Sequence, residues 1–305
     1  MRVTMSIPRK IAAALAAVLL SSSAPAPASA DGPADPRPLT FHLRSQMETS
    51  AGSGNYRLEV VAKTWDPSKT AVVVCDMWDR HWSVNATKRV GEMAPRMNQM
   101  LVALRSRGAL IIHCPSDTMG FYKDTPQRAR AKDAPRAEPK VALKSWAGLD
   151  RTREPALPID DSDGGDDSEP KGSSSRAWSR QIDVLKVEPE DAITDSAEAY
   201  NLIRQRGIEH VLVMGVHLNM CVLGRPFAIR QLVSQGLDVA LVRDMTDTMY
   251  NPQRSPQVSH FAGTDLMIEH VERHWCPTIT SDDVLGGKPF RFAGDDRPQD
   301  SPAIR

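Results

Sequence analysis

Two residues of this sequence could act as a nucleophile and its proton acceptor, Cys221 and Asp76. Cys221 stands where a loop, Gly215 to Met220, turns into an apolar helical stretch, Val222 to Gln235. A thiol at a helix start meets free backbone N–H groups and a partial positive charge, and both favour thiolate. The same N–H groups could hold the oxyanion of a tetrahedral intermediate. Asp76 ends a short apolar run, Thr70 to Cys75, and could take the thiol proton and return it to a leaving group. A carboxylate by itself raises the pKa of a neighbouring thiol, so this pair needs a cation beside it. Taken singly, each residue has a plainer reading: Cys221 as a small buried helix-start residue and Asp76 as a turn acid.

The elements that would bring the pair together are legible from periodicity. Thr70 to Cys75 and Ala109 to Cys114 are β-branched or aliphatic runs of the kind buried on both faces of a parallel sheet. Between them Thr87 to Arg107 repeats apolar residues at three- and four-residue spacing and ends at Gly108, which predicts an amphipathic helix. The unit is β-α-β, with a right-handed crossover. The alternation continues with a helix at Ser196 to Arg206 and a strand at His210 to Met214. A helix at Val222 to Gln235, a strand at Asp238 to Val242 and a helix at Ser255 to His274 follow, then a short strand near Thr278. Tyr56 to Lys63 reads as an edge strand. The fold class is α/β: a mostly parallel sheet with helices on both faces. Ligands of such sheets bind at the carboxyl ends of the strands, where Asp76, the His113-Cys114-Pro115 corner and the loop before Cys221 all lie.

The ends and the middle break this rhythm. Arg2, Arg9 and Lys10 precede an apolar Ile11 to Leu20 and a small-residue stretch ending Ala28-Ser29-Ala30. That is the pattern of a secretory signal peptide, residues 1–30, and it implies an exported protein, periplasmic or secreted. Residues 31–55 are expected to be a flexible leader, 56–290 the α/β domain, and 291–305 a tail. Within the domain, 123–180 is a surface excursion, expected to be partly ordered at best, with a solvated acidic loop at Asp160 to Glu169.

Composition narrows the function. Lys+Arg and Asp+Glu are equal at 38 each, which argues against a nucleic-acid binder. After signal cleavage no remaining stretch is apolar enough to span a bilayer stably. The four cysteines show no C-x-x-C, so neither a zinc site nor a disulfide framework is implied. Asp79-Arg80-His81 and the nearby His113 do not make three converging ligands, so no metal and no other cofactor is expected. Trp78, His81, Trp82, Phe121 and Tyr122 are candidates to wall a pocket for a small ring-bearing substrate.

Val72 to Trp78 (VVVCDMW) and Val213 to Val222 (VMGVHLNMCV) resemble the isochorismatase-like cysteine hydrolases, which include the nicotinamidases. The resemblance covers residues 65–120 and 180–285. It implies a three-layer α/β/α fold with six parallel strands, and hydrolysis of an amide or related bond through an Asp-Lys-Cys triad. It also implies a cis Val216–His217 peptide and an oxyanion hole from the amides of His217 and Cys221. Asp76 and Cys221 match the triad aspartate and nucleophile. The lysine does not match: Glu190 to Ser196 (EDAITDS) puts Asp195 in its place. Lys186 is a doubtful substitute, with Arg80, His81, Arg180 and Arg225 as other cations. By analogy the chain would assemble as a homo-oligomer.

The sequence therefore supports a cysteine hydrolase acting on a small molecule. An alternative is a catalytically impaired small-molecule binder on the same scaffold, motivated by Asp195. A redox-active thiol protein is a third reading, but no resolving cysteine lies close to Cys221 in sequence.

Overall fold

The computed structural model describes residues 1–2, 37–173 and 175–298. The segment expected to be a signal peptide, residues 1–30, lies outside the described residues apart from its first two positions. The chain divides into two units, 1–33 and 34–305, and the architecture belongs to the second.

In chain order the elements are β1 (Leu39–Glu48), β2 (Tyr56–Trp65), β3 (Thr70–Cys75), α1 (Val84–Ser106), β4 (Leu110–Cys114), α2 (Met119–Tyr122) and α3 (Pro126–Lys132). There follow β5 (Ala192–Ile193), α4 (Glu198–Gln205), β6 (His210–Val216), α5 (Cys221–Gly224), α6 (Ile229–Ser234), β7 (Asp238–Asp247), α7 (His260–His274), β8 (Thr278–Ile279) and α8 (Asp282–Leu285).

One sheet of eight strands runs in the order β2-β1-β8-β7-β6-β3-β4-β5. The stretch from β8 to β5 is the parallel six-stranded sheet that the sequence implies. The other two strands are an antiparallel hairpin, β1–β2, added beside β8. Residues 39–48, expected within a flexible leader, are thus a strand of the sheet. Leu39, Phe41 and Leu43 alternate into the core, which is the period-2 signal of a half-buried strand.

The core lies on both faces of the sheet. On one face Ala71, Val73 and Cys75 of β3 meet apolar residues of α4, α5, α6 and α7. On the other Val72 and Val74 meet α1, β1 and α8. β3 is buried along its whole length, so consecutive residues serve opposite cores. Phe290 and Phe292 pack against the second core, so the chain stays in the domain past the expected boundary at 290.

The helix expected over Val222 to Gln235 is two short helices. Pro226 has no N–H to give and holds Arg225 in an extended conformation (φ −64°, ψ 158°), which ends α5 after one turn. The excursion is also more ordered than its composition suggests. Glu154 is buried and accepts from Arg230 Nε at 2.7 Å and from Trp275 Nε1 at 2.8 Å. Asp166 and Ser168 are buried as well. The acids of the loop are engaged one by one: Asp160 by Arg254, Asp161 by Asn219, Asp163 by Asn251 and Asp167 by Arg89. Pairing with cations and amides of the domain removes the self-repulsion that would keep such a run in solvent.

Candidate active site

Asp76 turns off the end of β3 in the left-handed region (φ 46°), an uncommon and costly conformation for a residue with a side chain. Its amide donates to Cys114 O at 3.0 Å, and its Oδ1 accepts from the Ser116 amide at 2.7 Å. The carboxylate is fully buried.

The neighbouring strand β6 delivers the second residue. Cys75 and Gly215 are register partners across β3 and β6. Gly215 has φ 114°, and a Cβ there would fall 2.0 Å from Cys75 O. Only glycine lets the two strand ends close up, and the loop that follows brings Cys221 beside Asp76. The Val216–His217 peptide is cis. The amides of His217 and Cys221 have no hydrogen-bond acceptor among the described residues.

A cation completes the group. Arg225 Nε is 3.4 Å from Asp76 Oδ2. The contact is an ion pair without hydrogen-bond geometry, since neither buried atom has a hydrogen-bond partner among the described residues. Arg225 also approaches Asp117 (Nη2 to Oδ2, 3.6 Å) and lies 5.8 Å from the ring centre of Trp146. Its backbone amide caps α5 on Cys221 O at 3.1 Å. The guanidinium keeps its proton: burial opposes the charge, but Asp76, Cys221 and Cys75 beside it outweigh that.

The electrostatics differ from the sequence expectation of a ready thiolate. Burial pushes the Cys221 thiol well up, the Asp76 charge adds to this, and Arg225 pulls the other way. α5 has only four residues and contributes little dipole. Burial also raises Asp76, against the opposing pull of Arg225, Cys221 and Ser116. The resting thiol therefore keeps its proton, and the arrangement suits transfer of that proton to Asp76 during attack rather than before it.

Lys186 is exposed and apart from this group: its Nζ donates to Asp183 O at 2.9 Å. Asp195 accepts from the Asp117 amide at 3.2 Å, one residue removed from Arg225. The cation beside Asp76 is thus Arg225, which belongs to the same segment as Cys221, and not Lys186.

Aromatic residues crowd the same edge. Trp78 is buried, donates from Nε1 to Ser116 O at 3.0 Å, and stacks on Trp178 at 4.1 Å between centroids. His81 lies 5.9 Å from Trp78, 5.0 Å from Trp82 and 5.0 Å from His217. Burial pushes His81 down to about 4 and His217 well below its ordinary value, so both are neutral imidazoles. Phe121 is exposed, packs edge-on against buried Tyr122, and sits under Arg180 at 5.6 Å. Tyr122 accepts from the Gln181 amide at 2.9 Å. Trp178 and Trp146 escaped the sequence reading because they sit in the excursion, where no periodicity marks them.

A further network stands behind the nucleophile loop. Asp247, at the end of β7, accepts from Arg89 Nε at 2.7 Å and bonds His260 Nε2 at 2.8 Å, while its backbone carbonyl accepts from the Leu218 amide at 2.7 Å. Burial would raise its carboxyl, but Arg89 and His260 hold it far below the usual range. The sequence-predicted strand stopped at Val242 and so missed this residue. His113 bonds Gln181 and Asp191, and among the described residues no group of three or more His, Cys, Asp or Glu is placed to hold a metal. The four cysteines are free thiols, with Cys75, Cys114 and Cys276 buried. Among the described residues no helix is long and apolar enough to cross a membrane.

No family model and no curated protein matches the chain. It is similar to a solved cysteine hydrolase from Pseudomonas syringae pv. phaseolicola, at 15% identity over 72% of this chain and 92% of that one, with a TM-score of 0.45. It is also similar to an isochorismatase family protein from Burkholderia thailandensis, at 15% identity over 71% and 94%, TM-score 0.39. A third is the MAR1 ribonuclease from Caenorhabditis elegans, at 13% identity over 72% and 83%, TM-score 0.41.

Proposed function

We propose that the chain is an isochorismatase-like cysteine hydrolase that cleaves an amide or related C–N bond of a small molecule, with Arg225 in the role of the missing lysine. The observation that carries this reading is the convergence of Asp76, Arg225 and Cys221 at the carboxyl end of β3 and β6. As the sulfur attacks the carbonyl carbon, its proton passes to the Asp76 carboxylate. Arg225 stays charged and stabilises the sulfur anion and the carboxylate in turn. The carbonyl oxygen, becoming an oxyanion, takes hydrogen bonds from the amides of His217 and Cys221. The protonated Asp76 then gives its proton to the departing nitrogen as the C–N bond breaks. Water, giving a proton to Asp76, then attacks the thioester carbon; the C–S bond breaks, the carboxylic acid leaves, and Asp76 returns the proton to the Cys221 sulfur. The stacked Trp78–Trp178 pair and the neutral His81 offer a flat, apolar wall to a ring-bearing substrate. The N-terminal segment would direct the enzyme out of the cytoplasm.

A panel of small aromatic and aliphatic amides, assayed with the wild-type chain and Cys221→Ala, tests the reading. Turnover by the wild type that disappears in the variant supports it. Turnover that is equal in both overturns it. The rival reading, an impaired binder, draws on the raised thiol and on Asp195. It predicts saturable binding of ring compounds with no turnover at any pH.

A further inference from the structure

The outer edge of the sheet carries a second message. β2 pairs with β1 in unbroken register, from Tyr56 opposite Glu48 to Trp65 opposite Leu39, and among the described residues it has no strand on its other side. It is ten residues long, without proline or a register shift. Residues Val60 to Thr64 are all exposed, and Leu58, Val60 and Val61 are 51%, 54% and 43% exposed. A ten-residue edge with neither proline nor a bulge offers its free N–H and C=O groups to another strand, and its charges restrict which strand can pair.

The charges say which strand fits. Arg57, Glu59 and Lys63 have no ion-pair partner among the described residues. Suppose two copies of β2 meet antiparallel about a two-fold axis normal to the sheet. Paired side chains must share a face, so the residue numbers of each pair sum to an even value. With the axis at Val60, Arg57 faces Lys63, a like-charge pair. With the axis at Ala62, Glu59 faces Trp65 and Lys63 faces Val61. With the axis at Val61, Glu59 of each copy faces Lys63 of the other, and Val60 faces Ala62. This register pairs Glu59 with Lys63 twice, because the interface is isologous, over a shared stretch from Arg57 to Trp65; an axis at Leu58 would set Arg57 against Glu59 but overlap only Tyr56 to Val60. It also joins the Leu58, Val60 and Ala62 stripes of the two copies into one apolar patch on a single face.

We propose that β2 is a dimerisation strand that joins two copies of this chain edge to edge, centred on Val61, into one continuous sheet of sixteen strands, twice the eight of each copy. The proposal does not depend on the hydrolase reading, because β2 lies at the sheet margin away from Cys221.

Light scattering after gel filtration, over a concentration series, tests it. The wild-type chain runs as a dimer. Glu59→Lys places lysine against lysine at both crossings, and Lys63→Glu places glutamate against glutamate. Each change raises the dimer dissociation constant about ten-fold or more. Mixing the two variants restores dimerisation, because every crossing in the heterodimer is again Glu against Lys. The same mixture shows that both variants are folded. A monomeric wild type, with the edge bare or covered by another segment, overturns the proposal. So does a dimer indifferent to both changes, or two weakened variants that fail to rescue each other.

Discussion

Arg225 stands 3.4 Å from the Asp76 carboxylate and four residues beyond Cys221, on the far side of the one-turn helix that the cysteine begins. Proline at 226 fixes this geometry by ending the helix and turning Arg225 into an extended conformation. Arg225→Met should lower kcat/KM by about 10²–10³. It should also move the acidic limb of the pH profile. In the proposed mechanism activity requires the Asp76 carboxylate, so it rises as pH climbs through that group's pKa. Arg225 lowers this pKa, so its removal shifts the limb to higher pH, and Arg225→Lys keeps it near its wild-type place. An unmoved limb in the methionine variant would show that the guanidinium does not act on Asp76.

Cys221 is the one partly exposed thiol among four. Iodoacetamide should label the native chain once, at Cys221, with a rate that is slow near neutrality and rises with pH, because burial and Asp76 raise the thiol. Labelling should abolish turnover in step with its extent. Peptide mapping by mass spectrometry reads both. Rapid labelling at pH 6 would contradict a protonated resting thiol.

Much of this was legible in the sequence. The buried runs around Asp76 and before Cys221 are read directly, because strands covered on both faces leave a continuous apolar signal. Arg225 stood among several alternative cations, and nothing in spacing could rank it. Its role depends on Pro226 breaking a helix that apolar periodicity alone extends to Gln235. β1 was hidden by a polar alternating pattern, and Asp247 by a strand whose last residues are no longer aliphatic. The excursion misled because its acids are satisfied by partners far away in sequence, such as Arg89 and Asn251.

Glu154 pins that excursion to α6 and α7. Burial would raise its carboxyl, but hydrogen bonds from His270, Arg230 and Trp275 hold it at about 2 against an ordinary 4.5. A carboxyl depressed on folding contributes stability that is complete above its unfolded value and lost as pH falls from about 4.5 towards 2. The full contribution is about 3 kcal/mol. Glu154→Gln should destabilise the chain at pH 7 and flatten the loss of stability below pH 4.5. Urea unfolding at a series of pH values measures this, and parallel acid limbs in the two proteins would refute it.

Asp161 and Asn219 link the excursion to the nucleophile loop: Asn219 Nδ2 donates to Asp161 Oδ2 at 2.7 Å, and its Oδ1 accepts from the Met249 amide at 3.0 Å. Asp161→Ala should lower kcat several-fold through a looser loop, with KM moving less. Asp161→Asn, which can still accept, should recover most of the loss. Equal losses in the two variants would point to charge rather than positioning.

The proposed swap between Asp195 and Arg225 changes how such a site is inherited. When the cation comes from a separate strand, two distant stretches must be kept together by selection. Here the proposed nucleophile and counter-ion lie in one pentapeptide, Cys221-Val-Leu-Gly-Arg225, with a proline behind it. Cys-x-x-x-Arg-Pro after an apolar strand and Gly-Val, with an acid where the lysine would stand, is therefore a signature by which other chains with the same exchange can be recognised from sequence.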